Sequence, residues 1–201
     1  MKDAVKSALV LFAITLVAGA LLGAVYQVTK EPIRIQREIA KQKANQAAFP
    51  GAEFKDYEGF DKAAAAAVLS QDAAWSGVSI ENVQEAVVDG QREGYVLQIT
   101  SMGYGDEISW ILGICDDGTV NGISLISINE TPGLGMNAEK VLVPQFDDVP
   151  VPDSRFTVAK TDDNLTETIN AISGATITST AVTNGVNAGL TYYEQVIKEV
   201  Q

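Results

Sequence analysis

The chain has 201 residues, room for one membrane segment and one domain of ordinary size. It has no histidine and one cysteine, Cys115, which excludes a Ser/His/Asp triad, a Cys/His dyad, a histidine-bound zinc, an internal disulfide and an iron–sulfur cluster held by this chain alone. The net charge of −12 is unevenly divided: residues 1–43 hold seven Lys/Arg against three Asp/Glu, a net of +4, and the remainder carries −16, so a basic stem precedes an acidic body unsuited to nucleic acid.

No residue from Ser7 to Thr29 is charged, and "ALVLFAITLVAGALLGAV" matches the roughly 20 apolar residues that cross a bilayer. "AGA" at 18–20 superficially resembles a signal-peptide cleavage site, but the apolar run continues past it through "LLGAV", so residues 1–29 read as a tail and an uncleaved transmembrane anchor. In residues 30–48, Glu31 and Pro32 suit a first helical turn and Ile35, Ile39 and Gln42 follow at helical spacing, which predicts a helical stalk whose basic residues can rest on lipid headgroups. The domain is expected to fill residues 49–201. "FPGAEFKDYEGFD" breaks the helical pattern, and "DKAAAAAVLSQ" reads as a short alanine-rich helix or as linker.

From residue 79 the period changes. "SIENVQEAVV", "EGYVLQIT", "EISWILGIC" and "TVNGISLISI" are β-branched or aromatic runs separated by turn signals, which predicts an antiparallel meander. Cys115, ending an apolar run, is expected to be a small buried hydrophobe. "NETPGLG" closes the meander, "AEKVLVPQF" reads as a short helix and "RFTVAK" as another strand. A closing helix then places Val182, Val186, Leu190, Tyr193 and Val196 or Ile197 on one face, so the fold class is α+β.

Just before that helix lies "AISGATITSTAVTNGV", with six hydroxyl side chains and two glycines in residues 171–186. Ser173 or Thr176 is expected before or at the helix start, where unpaired N–H groups and the helix dipole favour an anion such as a phosphate; an ordinary Ser/Thr N-cap is the plainer reading. "MGYGDEI" at 102–108 and "NETPGLGMN" at 129–137 are further glycine stretches, each by itself as consistent with a turn as with a site. Neither has the spacing of a dinucleotide fingerprint or a P-loop.

Together and in this order, "GYGDEI", "ETPGLG" and "SGATITS" behind one N-terminal anchor resemble the FMN-binding family of membrane redox subunits, above all the G subunits of Rnf electron-transport complexes. The C subunits of sodium-pumping NADH:quinone reductase are similar but usually longer. The resemblance implies that Thr176 carries FMN through a phosphoester bond. Gly103, Tyr104, Gly105, Glu130, Thr131, Pro132, Gly133, Leu134, Gly135, Ser173, Gly174, Ala175 and Thr178 would lie around the flavin, with Thr131 and Leu134 the foremost contacts.

A threonine hydroxyl is a poor nucleophile without a base, so a separate flavin transferase with FAD as donor is implied. Also implied are the other Rnf subunits as partners, coupling of ferredoxin/NAD electron transfer to Na+ or H+ translocation, and a relay role without independent turnover. No metal is expected. Relatives often have Asp in place of Asn170 and Gly-Pro in place of Asp106 and Glu107. The five basic residues of the stalk, against two plus the α-amine at the N-terminus, mildly favour a cytoplasmic body; the resemblance implies a cytoplasmic N-terminus and an extracytoplasmic domain. A membrane-anchored binding or assembly module without redox turnover is the rival of another class.

Overall fold

The computed structural model describes residues 2–160 and 167–200. The chain divides into two compact units, Met1–Ile39 and Ala40–Gln201. The first unit is helical, and its apolar side chains are exposed along the span from Val5 to Val28. It belongs to α1, Lys2–Ala48, which is long and apolar enough to cross a membrane. Residues 30–48, expected as a helical stalk, are helical, but Glu31 and Pro32 are not a first helical turn: Pro32 lies inside α1. Proline forfeits one hydrogen bond there, and the good helix formers on either side carry the helix past it.

In the second unit, β1 (Glu53–Asp56), β2 (Val78–Val88), β3 (Gln91–Met102), β4 (Glu107–Cys115) and β5 (Val120–Ser127) form an antiparallel meander in chain order. β1 lies in the stretch expected only to break the pattern; its four residues are mostly exposed and show no apolar alternation. The β2–β3 turn uses Asp89 and Gly90, both at positive φ, as a tight hairpin requires. α2 (Lys62–Leu69) follows the alanine run, with Asp61 capping it by accepting from Ala63 N–H at 2.9 Å. The expected helix at 138–146 shrinks to α3 (Ala138–Val141), because Pro144 lacks the N–H a continuing helix needs. β6 (Thr157–Ala159) and β7 (Thr168–Asn170) form a separate parallel pair; β7 is too short to show a period.

α4 (Thr176–Tyr192) and the π-helical turn Tyr193–Ile197 cover one face of the sheet. Ile99, Trp110 and Leu112 meet Val182, Val186 and Leu190 in the main core, with Tyr193 and Ile197 also buried. α4 lies close because it meets the sheet through glycines: a Cβ on Gly185 would stand 2.5 Å from Trp110 Cζ2, and one on Gly189 2.7 Å from Leu112 Cδ2. The other face of the sheet is covered by the end of α1 and the turn after it, where Ala44, Ala48, Phe49 and Ala52 pack on Ala86, Val96 and Ile111. The Phe49 ring rests on a glycine floor, 2.8 Å from where a Gly94 Cβ would be and 3.0 Å from that of Gly113. Both faces are therefore buried, which explains the near-continuous apolar run of β4. Cys115 is half-buried at the margin of this second core, with Sγ 3.5 Å from Asn121 Oδ1, so the expected burial is only partial.

Candidate functional site

The three glycine- and hydroxyl-rich stretches converge on the start of α4. A cavity of about 550 Å³ is lined there by Tyr104, Glu130, Thr131, Leu134, Gly135, Gly174, Ala175, Thr176 and Ile177, a size within the roughly 300–1,000 Å³ of small-molecule sites. A second cavity of about 410 Å³, lined by Gly77, Val78, Ser101, Met102, Thr180 and Asn184 among others, shares Thr176 and Ile177 with the first. Thr176 therefore stands between two open volumes.

The helix start differs from the expected cap. Ala175, not Ser173 or Thr176, is the N-cap residue, and no side chain caps the first turn. Thr176 is the first helical residue, and the first helical bond runs from Ser179 N–H to the Ala175 carbonyl at 3.1 Å. The N–H groups of Thr176, Ile177 and Thr178 thus have no acceptor within the helix, and the positive end of the dipole faces the same way. Gly174, at φ +75°, turns the chain into the helix; a Cβ there would come within 3.0 Å of Leu134 Cδ2.

The hydroxyls of Ser173, Thr176, Thr178 and Ser179 divide sharply, while Thr180, half-buried, lines only the second cavity. Thr178 is fully buried and donates to Glu130 Oε2 at 3.2 Å. Ser179 is fully buried too, donating to the Ala175 carbonyl at 3.0 Å and accepting from Ile172 N–H at 2.9 Å. Ser173 is exposed and lines neither cavity. Thr176 is half-buried, and among the described residues its hydroxyl has no hydrogen-bond partner.

Glu130 is 6% exposed. Its Oε1 accepts from Tyr104 N–H at 2.8 Å and Gly105 N–H at 3.2 Å. The neighbouring glycines are required by this crowding, since a Cβ on Gly103 would fall 2.0 Å from Glu130 Oε1 and one on Gly135 2.7 Å from Glu130 Cβ. Thr131 closes the following turn, its carbonyl accepting from Leu134 N–H at 3.1 Å. Pro132 and Gly133 form the exposed tip, Gly133 at φ +80°.

Asp106 shapes the other loop: its carbonyl accepts from Gly103 N–H at 3.0 Å, Oδ1 from Glu107 N–H at 2.8 Å and Oδ2 from the Asn129 amide at 3.3 Å. The Glu107 N–H, followed by the Asn129 amide, holds the Asp106 carboxyl below its ordinary value. Glu107 is the exposed first residue of β4. Asn170 is tied to Gln145, which accepts from its N–H at 2.7 Å and donates to its carbonyl at 3.0 Å.

Of the apolar mouth of this site, sequence reasoning named Tyr104 and Leu134 and missed Met102, Met136 and Ile177. Among the described residues after Ile39, the large hydrophobic side chains that are exposed are Met102, Tyr104, Leu134, Met136 and Ile177. All five belong to the segments that surround the two cavities or to the turn just beyond. Met102 and Ile177 sit at ordinary strand and helix positions, and only the tertiary arrangement gathers them.

A cavity against an uncapped helix start, walled by glycine loops and rimmed by apolar side chains, suits a flat aromatic ligand with a phosphate tail. Residues 103–191 match the FMN-binding domain family, and residues 1–46 match the RnfG N-terminal region. The chain is 31% identical to the G subunit of the Na(+)-translocating ferredoxin:NAD(+) oxidoreductase complex of Acetobacterium woodii, over 96% of this chain and 93% of that one. It is 33% identical to the G subunit of the proton-translocating ferredoxin:NAD(+) oxidoreductase complex of Clostridium ljungdahlii, over 85% and 80%. A solved structure, NqrC of Shewanella oneidensis, aligns at 19% identity with a TM-score of 0.49 over 59% of each chain, too slight a likeness to bear weight. The chain belongs to the family of G subunits of ion-translocating ferredoxin:NAD(+) oxidoreductase complexes.

Proposed function

We propose that this chain is the flavin-bearing electron relay of an Rnf-type complex, with FMN esterified through its phosphate to Thr176. The complex would couple electron transfer between ferredoxin and NAD to the movement of Na+ or H+. The observation that carries the attachment is the division of hydroxyls: Thr178 and Ser179 are sealed in hydrogen bonds, while Thr176 lines both cavities with its hydroxyl unengaged. When bound, FMN supplies reversible uptake and release of electrons.

The chain's own part is to hold and surround it. The uncapped N–H groups of Thr176, Ile177 and Thr178 favour the phosphate. Gly135 and Gly174 keep the walls thin, Gly103, Gly105 and Gly133 belong to the loops behind them, and Tyr104, Thr131, Leu134, Met102 and Ile177 offer surface for the ribityl chain and ring. Pro132 and Ser173 flank the loops, and Ala175 closes the floor. No histidine is available to deprotonate Thr176, so a flavin transferase supplies the base. The Thr176 hydroxyl oxygen forms the bond to the FMN phosphorus of FAD, the pyrophosphate bond breaks, AMP leaves, and the hydroxyl proton passes to the transferase.

Residues 1–29 then anchor the chain in the membrane, residues 30–48 form the stalk and residues 49–201 the flavin domain. The N-terminus is cytoplasmic and the domain extracytoplasmic, where a covalent tether prevents loss of the cofactor. The other subunits of the complex are the redox partners, and lipid contacts the anchor.

The test is coexpression of the full chain with a flavin transferase, followed by in-gel fluorescence and intact mass. Thr176→Val should abolish the adduct, and Ser173→Ala, Thr178→Val and Ser179→Ala should retain it. An adduct that survives in Thr176→Val refutes the assignment. A parent chain that stays unloaded beside an active transferase favours the non-redox binding module.

A further inference from the structure

The three motif stretches are joined through one side chain. Glu130 reaches the 103–105 loop through Oε1 and α4 through Oε2, and these three hydrogen bonds occupy most of a carboxylate's capacity. Glu130 is 6% exposed and Thr178 fully buried. The neighbouring sequence is cut to fit it: Gly103 and Gly135 both lie where any Cβ would strike Glu130. Its partner Thr178 is two residues beyond Thr176 in the first turn of α4, where the helix dipole favours an anion. The same carboxylate lines the cavity that Thr176 faces.

We propose that Glu130 is a positioning residue for Thr176, acting through the Tyr104 and Gly105 amides and the Thr178 hydroxyl, and that its carboxylate is the anionic wall of the cavity. This rests on Thr176 being the flavin-bearing residue. By locking the 103–105 loop to the first turn of α4, Glu130 fixes the hydroxyl presented to the transferase. As a negative charge on the cavity wall, it disfavours the electron-rich flavin and so lowers the potential of the bound group.

The experiment uses the full chain in detergent, with and without coexpressed transferase, and the variants Glu130→Ala, Glu130→Gln and Thr178→Val. Hydrogen exchange at Tyr104 and Gly105 is read in unloaded protein, loading by intact mass over time, and midpoint potential in loaded protein. In Glu130→Ala both amides should exchange faster and loading should slow by roughly tenfold or more, since a buried group loses its charged acceptor. Glu130→Gln keeps an oxygen for both amides, so loading should stay within about threefold of the parent, while the neutral wall shifts the potential to a more positive value. Thr178→Val cuts only the link to α4 and should slow loading by about threefold with the two amides still protected.

Unchanged exchange or loading in a folded Glu130→Ala protein overturns the proposal, as does an unshifted potential in Glu130→Gln. If Glu130→Ala does not fold, Glu130→Gln and Thr178→Val decide: unslowed loading in Thr178→Val, or loss of loading in a folded Glu130→Gln protein, overturns it. A parent chain that takes no flavin defeats the Thr176 reading instead, and exchange at Tyr104 and Gly105 still judges the brace.

Discussion

Gly185→Ala tests whether the depth at which α4 sits is set by its glycines. In a helix interior the change is intrinsically favourable by about 1 kcal/mol. Against that, the new methyl would lie 2.5 Å from Trp110 Cζ2 and 2.6 Å from Ser101 Oγ. Neither neighbour can yield easily: Trp110 and Ser101 are fully buried, and Trp110 Nε1 donates to Ser101 Oγ at 3.3 Å. Overpacking a tight core costs about 1–3 kcal/mol, and more where a rigid ring is struck, so the net effect is a destabilisation of about 1–2 kcal/mol. Gly189→Ala is the internal control. It carries the same propensity gain, but its methyl meets the flexible ends of Leu112 and Ile99, at 2.7 and 2.8 Å, and the two terms should cancel to within about 1 kcal/mol. Urea unfolding of the detergent-solubilised protein, followed by tryptophan fluorescence, gives both values. Because Thr176 opens the same helix, lifting α4 should also slow flavin loading in Gly185→Ala. A Gly185→Ala protein as stable as the parent, or a Gly189→Ala protein that is the worse of the two, would refute the reasoning.

Deleting residues 1–29 should yield a soluble protein, since it removes the long uncharged apolar run and keeps every motif; persistent aggregation of a folded product counts against a single anchor. Extending the deletion to residue 48 should cost about 2 kcal/mol or more of unfolding free energy, because Ala44 and Ala48 leave Val96 and Ile111 uncovered. Burial pushes the Tyr192 phenol up to about 12. The unfolded chain therefore gives up that proton first, and stability falls as pH rises from about 10 toward 12. Tyr192→Phe should remove this alkaline loss and leave stability near pH 7 unchanged or raised, as the buried hydroxyl forms no well-made hydrogen bond; a large loss at neutral pH in urea melts would contradict this. Protease added to spheroplasts should digest the acidic domain, whereas protection there with digestion in inverted vesicles would reverse the proposed topology.

The anchor, the four long strands and the closing helix were legible in the sequence because each carries a strong local signal: an uncharged apolar run, β-branched stretches between turn residues, and Val182, Val186 and Leu190 at helical spacing. The short β1 and β7 carry no period, and the continuity of α1 through Pro32 depends on the residues on both sides outweighing one lost hydrogen bond. The three site motifs were visible as glycine and hydroxyl clusters, but composition could not rank Ser173, Thr176, Thr178 and Ser179. The family resemblance singled out Thr176, and the folded chain supplies a physical reason to set it apart, because a hydroxyl's availability depends on what lies across from it. Glu130, 48 residues before Thr178, takes one hydroxyl, and the helix turn with Ile172 takes another. Part of the apolar mouth was equally hidden: Tyr104 and Leu134 stood within the glycine motifs, but Met102 ends a strand and Ile177 lies in the first turn of a helix. Periodicity reports which side of its own element a residue occupies, whereas a site arises where several elements end together, and that is decided by tertiary packing.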